Sequence, residues 1–212
     1  MEPFRLMRMG VIEIICGPMF SGKTEELIRR LRRAKIARQR VVVFKPSLDN
    51  RYDEIQIVRH SDQRIPSIPV EDPAMMEYCL TQLALPVEVI GIDEAQFFDS
   101  SLIPLVENWA NSGIRVVAAG LDQDYLGQPF GPIPHLLAIA DMVTKQYAVC
   151  VLCGAPATKS QRVWANHQKT PSGEKILVGA HDAYEARCRG CHVRGVDKAV
   201  VVASHENETT VV

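Results

Sequence analysis

The segment from residue 17 to residue 24 has the residue types and spacing of a phosphate-binding loop. It reads Gly17, Pro18, Met19, Phe20, Ser21, Gly22, Lys23 and Thr24, which fits the pattern G-x-x-x-x-G-K-[ST]. In this pattern the glycines let successive backbone N–H groups face phosphate oxygens, the lysine reaches the β- and γ-phosphates, and the Ser or Thr hydroxyl ligates Mg²⁺. A helix that begins here adds the partial positive charge of its N-terminus. A strand–turn–helix junction can match the pattern by chance, but we expect a nucleotide triphosphate site.

Two carboxylates, Asp93 and Glu94, follow the apolar run 90–92. An aspartate at the end of a strand holds Mg²⁺ in many nucleotide-binding proteins, so Asp93 joins Thr24 as a magnesium candidate. Glu94 projects differently and is a candidate general base for an attacking hydroxyl group or water. The two acidic residues also suit the N-cap and first turn of a following helix, which is compatible with the first interpretation. The nature of the phosphate acceptor stays open at this point.

Four of the six cysteines form two C-x-x-C pairs, Cys150/Cys153 and Cys188/Cys191. In a reducing compartment this spacing favours a metal site over disulfides, and four thiolates complete a closed tetrahedral zinc site of the structural kind. His192, next to the last cysteine, is an alternative ligand, but the four cysteines are a full set without it. The metal would close the polar loop 154–187, which we expect to act as a lid over a ligand.

Apolar runs and helical patterns alternate along the rest of the chain. We predict strands at 11–16, 41–44, 87–92, 114–119 and 142–149, and helices at 25–38, 71–83, 101–111 and 136–140. This alternation predicts an α/β P-loop fold of the RecA-like type, with a mostly parallel sheet and flanking helices. The outer face of the first helix is basic and is interpreted as a solvated face, in preference to nucleotide steering or subunit packing. Its residues are Arg29, Arg30, Arg32, Arg33, Lys35 and Arg38.

Composition limits the class of protein and suggests its division into domains. The chain has 212 residues, 47% of them hydrophobic, and a net charge of −1, so neither a basic nor an acidic excess points to a partner. We find no apolar stretch that could span a bilayer and no secretory signal, and we expect a cytoplasmic protein. Cys16 and Cys79 are expected to be plain buried thiols. We predict a nucleotide-binding domain at 1–149, a small zinc-binding lid domain at 150–195, and a disordered tail at 196–212.

Together these features resemble the thymidine kinases of the cytosolic, zinc-containing type found in bacteria, vertebrates and poxviruses. The resemblance spans residues 10–195. Besides residues 17–24 and the cysteine pairs, the matching motifs are Asp49-Asn50-Arg51-Tyr52, Asp93-Glu94-Ala95-Gln96-Phe97-Phe98, Gly120-Leu121-Asp122 and Pro129-Phe130-Gly131.

The resemblance implies transfer of the γ-phosphoryl group of ATP to the 5′-hydroxyl of thymidine, which yields dTMP and ADP for nucleotide salvage. It implies that Glu94 is the base, that Lys23, Thr24, Asp93 and Gln96 belong to the phosphate and magnesium site, and that a lasso-like lid loop reads thymine. It also implies a homotetramer that dTTP inhibits. The residues that match substrate-binding positions are Met19, Asp49, Arg51, Phe97, Leu121, Tyr125, Phe130, Thr158, Val178, Gly179 and Tyr184.

Two other functions fit some of the same motifs. The first is a zinc-ribbon P-loop NTPase that acts on nucleic acid, but such a motor needs further motifs and a basic groove, and this chain is short and near neutral. The second is a non-catalytic nucleotide-binding regulator, which would not need to keep Glu94. One residue departs from the family pattern, since Tyr125 stands where many members carry Phe, and its hydroxyl needs a polar partner if it is buried.

Overall fold

A computed structural model of the chain describes residues 10–47, 65–163 and 184–194. Its centre is a sheet of six strands in the order β3-β2-β4-β5-β1-β6, and every neighbouring pair is parallel. The strands are β1 (Val11–Cys16), β2 (Val41–Pro46), β3 (Ile68–Val70), β4 (Val89–Ile92), β5 (Arg115–Gly120) and β6 (Met142–Lys145). The predicted α/β class with a mostly parallel sheet is therefore confirmed.

Helices cover both faces of the sheet. They are α1 (Lys23–Ile36), α2 (Pro73–Thr81), α3 (Leu102–Asn111) and α4 (Ile133–Ile139). Leu27, Leu31 and Ala34 of α1 pack on one face, and the other three helices bury their apolar residues on the opposite face. A parallel sheet needs cover on both faces because its strands carry apolar side chains in both directions. No helix in the described ranges is long and apolar enough to cross a membrane.

A smaller unit of two antiparallel pairs follows the sheet. Strand β7 (Ala148–Val149) pairs with β8 (Pro156–Ala157), and β9 (Lys159–Arg162) pairs with β10 (Tyr184–Arg187). Of the four clustered cysteines, Cys150 directly follows β7 and Cys188 directly follows β10, while Cys153 and Cys191 lie in the turns after them. The single strand predicted at 142–149 is therefore wrong in its extent, since the chain leaves the sheet after Lys145 and β7 belongs to the smaller unit.

Other boundaries differ from the predictions for local reasons. Helix α1 begins at Lys23, two residues earlier than predicted, because the left-handed turn at Gly22 (φ 80°) immediately precedes it. Strand β3 was not predicted. It contains Pro69, which argues against a central strand, but β3 lies at the edge of the sheet, where a missing N–H is tolerated.

The basic face of α1 is only partly solvated. Arg33 and Lys35 are exposed, as predicted. Arg30 contradicts the prediction, because its side chain is only 11% exposed and lies 2.7 Å from the Glu13 carboxylate in β1. Its guanidinium also donates to Thr144 Oγ1 at 2.8 Å, so Arg30 ties the helix to the sheet.

Candidate active site

The segment between β1 and α1 forms a tight loop at the carboxyl edge of the sheet. Gly17 (φ 146°) and Gly22 (φ 80°) have backbone conformations that favour glycine. A Cβ atom on Gly17 would lie 2.4 Å from the carbonyl oxygen of Gln146, so a side chain has no room there. Ser21 Oγ donates to the Pro18 carbonyl oxygen at 2.9 Å and closes the loop on itself. The N-terminus of α1 thus faces a compact backbone loop, which is the geometry that binds phosphate.

Lys23, the first residue of α1, turns its side chain back into this loop. Its Nζ donates to the Pro18 carbonyl oxygen at 2.8 Å, and the residue is buried. Burial lowers the pKa of the Lys23 ammonium, while the carboxylates of Glu94, Asp93 and Asp122 act in the opposite direction. A buried cation that bonds to a neutral carbonyl gains strongly from an incoming anion, because a charged acceptor makes a stronger hydrogen bond.

Thr24 and Asp93 meet directly, although they are far apart in the sequence. Thr24 Oγ1 donates to Asp93 Oδ1 at 3.2 Å, where α1 begins and β4 has just ended. Asp93 is buried, and burial, followed by the neighbouring charge of Glu94, raises the pKa of its carboxyl group to about 7. A hydroxyl and a carboxylate are hard oxygen donors, the kind that Mg²⁺ prefers. The pair therefore fits a magnesium ion, whose charge would favour the ionised carboxylate.

Glu94 and Gln96 form a second connected pair. Glu94 has a left-handed backbone (φ 49°), which is uncommon for a residue with a side chain and turns the chain sharply after β4. Gln96 Nε2 donates to Glu94 Oε2 at 2.6 Å, and Gln96 Oε1 accepts from the backbone N–H of Leu121 at 3.0 Å. The Leu121 N–H must face the amide oxygen, so the amide nitrogen must face Glu94. One carboxylate oxygen of Glu94 is thus held by a side chain that is only 2% exposed.

Aromatic residues lie close to Gln96, since Phe97 follows it in the chain and a Cβ atom on Gly131, next to Phe130, would lie 2.1 Å from the Gln96 carbonyl oxygen. The rings of Phe97 and Phe130 meet edge to face, with centroids 5.6 Å apart. Leu121, Tyr125 and Phe130 belong to residues 121–132, the pocket loop, which connects β5 to α4. An aromatic pair of this kind gives a flat organic ring a surface on which to pack.

Strand β9 fastens the smaller unit to this site. All four of its residues, Lys159 to Arg162, are polar and buried. Ser160 Oγ accepts from the Met19 backbone N–H at 3.0 Å, and Lys159 Nζ donates to Gln123 Oε1. Sequence reasoning missed these contacts because a run of four polar residues is typical of a solvated loop.

Tyr125 has two partners that the sequence did not reveal. The Arg162 guanidinium lies 5.3 Å from the centroid of the Tyr125 ring, and His192 Nε2 lies 3.0 Å from the Tyr125 carbonyl oxygen. The Tyr125 side chain is half-buried. The group of described residues that could hold a metal ion consists of the four cysteines and does not include His192. The His192 side chain contacts the pocket loop instead.

The cysteine cluster has the dimensions of a zinc site. The sulfur atoms of Cys150, Cys153, Cys188 and Cys191 lie within 4.8 Å of one another. Cys153 Sγ is 3.7 Å from Cys188 Sγ and also 3.7 Å from Cys191 Sγ. A tetrahedral ion with Zn–S bonds of about 2.3 Å requires sulfur atoms about 3.8 Å apart. The cluster could therefore hold a structural metal such as zinc.

The remaining predicted site residues fall into two groups. Thr158 lies between β8 and β9, and Tyr184 opens β10 and lines a shallow groove together with Phe20. The other four, Asp49, Arg51, Val178 and Gly179, lie outside the described residues.

Asp122 is a further charged residue at this edge. It is buried and pairs with Lys145 Nζ at 2.7 Å, and sequence reasoning gave it no separate role.

Cys16 and Cys79 differ in burial. Cys16 is fully buried at the end of β1, and burial raises the pKa of its thiol to about 11. Cys79 is half-buried against the core. The prediction of a plain buried thiol is thus confirmed for Cys16 and holds only partly for Cys79.

Comparison with known proteins gives consistent results. A family model described as "TK: Thymidine kinase" matches residues 10–192. That span includes the loop 17–24, which we call the phosphate-type loop, and all four clustered cysteines. A thymidine kinase of Rhodothermus sp. (strain ITI 518) is 50% identical to this chain over 194 residues, which are 90% of this chain and 86% of that protein.

Proposed function

The chain belongs to the thymidine kinase family and is a kinase, and we propose that it transfers the γ-phosphoryl group of ATP to the 5′-hydroxyl of thymidine. The observation that carries the mechanism is a contact between distant segments. Thr24 at the start of α1 bonds to Asp93 after β4, and Glu94 follows directly. This contact supports a mechanism in which a phosphate site, a cation site and a base share one edge of the sheet.

ATP is proposed to bind with its β- and γ-phosphates in the loop 17–24. The Lys23 ammonium, which bonds to the Pro18 carbonyl in the described structure, would bond to phosphate oxygens instead. Thr24 and Asp93 would hold Mg²⁺, and the bound ion supplies positive charge to the phosphate oxygens. Gln96 was predicted among the phosphate residues, but its two side-chain bonds support a different role, which is to orient Glu94.

Glu94 is proposed to accept the proton of the 5′-hydroxyl. As that oxygen bonds to the γ-phosphorus, the bond from the γ-phosphorus to the β–γ bridging oxygen breaks, and ADP leaves. The proton passes to the carboxylate oxygen of Glu94 that does not bond to Gln96. A fixed carboxylate improves this step because the base is already oriented when the hydroxyl arrives.

The nucleoside pocket is proposed to lie against the aromatic pair Phe97 and Phe130, beside the rest of the pocket loop. Phe97 and Phe130 would pack against the thymine ring, with Leu121, Tyr125 and Met19 completing the lining. Thr158 and Tyr184, together with Val178 and Gly179, remain predictions for the lid, and Asp49 and Arg51 remain predictions for the phosphate side. Specificity through hydrogen bonds to backbone groups is effective because a wrong base leaves a buried donor or acceptor unpaired.

Zinc is the metal that we assign to the four cysteines, with residues 150–195 as the lid domain. The sulfur spacing supports this assignment. A homotetramer and inhibition by dTTP are proposed from the family resemblance. A cytoplasmic location is also proposed, and it is in keeping with six cysteines, all within the described ranges, that form no disulfide.

A panel of nucleosides with labelled ATP tests the activity. We expect phosphate to appear on thymidine and not on deoxyadenosine or deoxycytidine. The alternative of a nucleic-acid-dependent NTPase is not favoured by the family match. ATP hydrolysis that requires DNA and does not respond to thymidine would favour this alternative.

The role of Glu94 has its own test. Glu94→Gln should retain ATP binding and lower kcat by about 10²-fold or more, because the amide cannot take a proton. Glu107→Gln, an exposed position on α3, is the matched control. An unchanged kcat in Glu94→Gln would remove this residue from the base role.

A further inference from the structure

His192 joins the turn at Cys188–Cys191, which we call the cysteine knuckle, to the pocket loop. Its backbone N–H donates to the Cys188 carbonyl oxygen at 3.0 Å, which fixes the residue within the knuckle. Its ring Nε2 lies 3.0 Å from the Tyr125 carbonyl oxygen. A carbonyl oxygen can only accept, so Nε2 must carry the hydrogen in this contact. One residue therefore bonds to the metal-binding segment through its backbone and to the pocket loop through its side chain.

The tip of the pocket loop gets its shape from its own hydrogen bonds. The Asp124 carboxylate accepts from the backbone N–H groups of Leu126 and Gln128, each at 2.9 Å, and the Asp124 N–H donates to the Gln128 carbonyl at 2.9 Å. These bonds lie within one turn. They determine the turn's conformation, but they cannot determine where it sits relative to the sheet.

The position of the tip depends on side chains of the smaller unit. Lys159 bonds to Gln123, the Arg162 guanidinium covers the Tyr125 ring, and His192 bonds to the Tyr125 carbonyl. Lys159 and Arg162 come from β9, which also bonds to the phosphate-type loop through Ser160. His192 differs because it extends from the knuckle itself, beside a cysteine of the cluster.

We propose that His192 is a positioning residue for thymidine. It holds the pocket loop at a fixed position relative to the cysteine knuckle, so that the residues of that loop contact the nucleoside. This inference rests on the proposed function. His192 acts through Tyr125 and the pocket loop, and it takes no part in phosphoryl transfer. Its loss should therefore weaken thymidine binding and leave both ATP binding and turnover at saturation nearly unchanged.

The test compares three substitutions at this position with a control. His192→Ala removes the donor, His192→Phe keeps a ring without a donor, and His192→Gln restores an amide N–H near the place of Nε2. His135→Ala, on the exposed side of α4, is the matched control. For each protein one measures kcat, KM for thymidine, KM for ATP, zinc per chain and the thermal midpoint.

We expect His192→Ala and His192→Phe to raise KM for thymidine by about 5- to 20-fold, the effect of one lost hydrogen bond to the half-buried Tyr125. The KM for ATP and kcat should stay within about twofold, zinc should stay at the wild-type level, and His192→Gln should recover most of the loss. If the alanine variant is not recovered folded, the comparison of Phe with Gln decides.

Three results would overturn the inference: an unchanged KM for thymidine, equal rises in KM for both substrates, or loss of zinc. Failure of glutamine to improve on phenylalanine would overturn it as well. The wild-type enzyme separates this question from the proposed function. If the wild type phosphorylates thymidine and the His192 variants behave like it, only the positioning role fails, whereas no phosphorylation by the wild type would reject the function itself.

Discussion

The burial of Asp93 predicts that this carboxylate destabilises the metal-free protein. Asp93 is 7% exposed, and burial together with the charge of Glu94 raises its pKa from 3.8 to about 7. A carboxyl group whose pKa is higher in the folded state favours folding below its unfolded pKa, and that contribution is lost as pH rises through the folded value. Asp93→Asn cannot ionise. We therefore expect the variant to be more stable than the wild type at pH 8, by an amount that shrinks toward pH 5.

The size of the effect follows from the shift. About three pKa units at about 1.36 kcal/mol each give a ceiling near 4 kcal/mol. Lys23 lowers this value, because the substitution removes one of the carboxylates that stabilise its buried ammonium. We expect a net gain of about 2 to 3 kcal/mol at pH 8, or roughly 4–12 °C in the thermal midpoint of a chain of this size.

The assay is thermal unfolding without nucleotide or magnesium, at pH 5, 6.5 and 8, with zinc content checked at each pH. Glu107→Gln is the control for loss of an exposed carboxylate. Added Mg²⁺ and ATP should stabilise the wild type and have little effect on Asp93→Asn, whose activity should be lost. A variant less stable than the wild type at pH 8, or a difference independent of pH, would refute the reasoning.

Three further substitutions test other parts of the site and fold. Gln96→Leu should lower kcat by about 10- to 100-fold with ATP binding retained, because Glu94 loses its hydrogen-bond donor; wild-type kcat would exclude the orienting role. Cys153→Ser should lower zinc content and the thermal midpoint, and full zinc occupancy with normal kinetics would contradict a structural metal site. Arg30→Met should cost about 1 to 3 kcal/mol of unfolding free energy, since Glu13 is buried and loses one of its two arginine partners; a loss below about 0.5 kcal/mol would show that the pair is not important.

The parts of the molecule that the sequence predicted share one property, which is that short-range rules determine them. The turn at Gly17 to Gly22 follows from a local motif, and the end of β4 follows from an apolar run that stops at Asp93. Parallel pairing follows in turn from the alternation of strands and helices. The spacing of the two C-x-x-C pairs likewise predicts a metal site. None of these inferences needed knowledge of which distant residues would meet.

The parts that the sequence missed depend on long-range burial of polar groups. Nothing in the run Lys159 to Arg162 indicates that both the loop 17–24 and the pocket loop will contact it. Arg30 looks like one of several solvated cations until the sheet brings Glu13 beside it. The hydrogen bond of Gln96 to the backbone N–H of Leu121 joins residues 25 positions apart, and the motif alone does not indicate it. A single sequence carries no signal for such pairings.

The buried polar strand β9 predicts how loss of the metal should differ from loss of His192. Ser160 of β9 bonds to Met19 in the phosphate-type loop, while Lys159 and Arg162 hold the pocket loop. Loosening the knuckle should free β10 and with it β9, so that the proposed ATP site and the proposed thymidine site would both lose a contact. A cysteine variant with reduced zinc should therefore raise KM for ATP as well as for thymidine. The His192 variants should affect thymidine alone, because β9 keeps its place when only the contact between His192 and Tyr125 is cut.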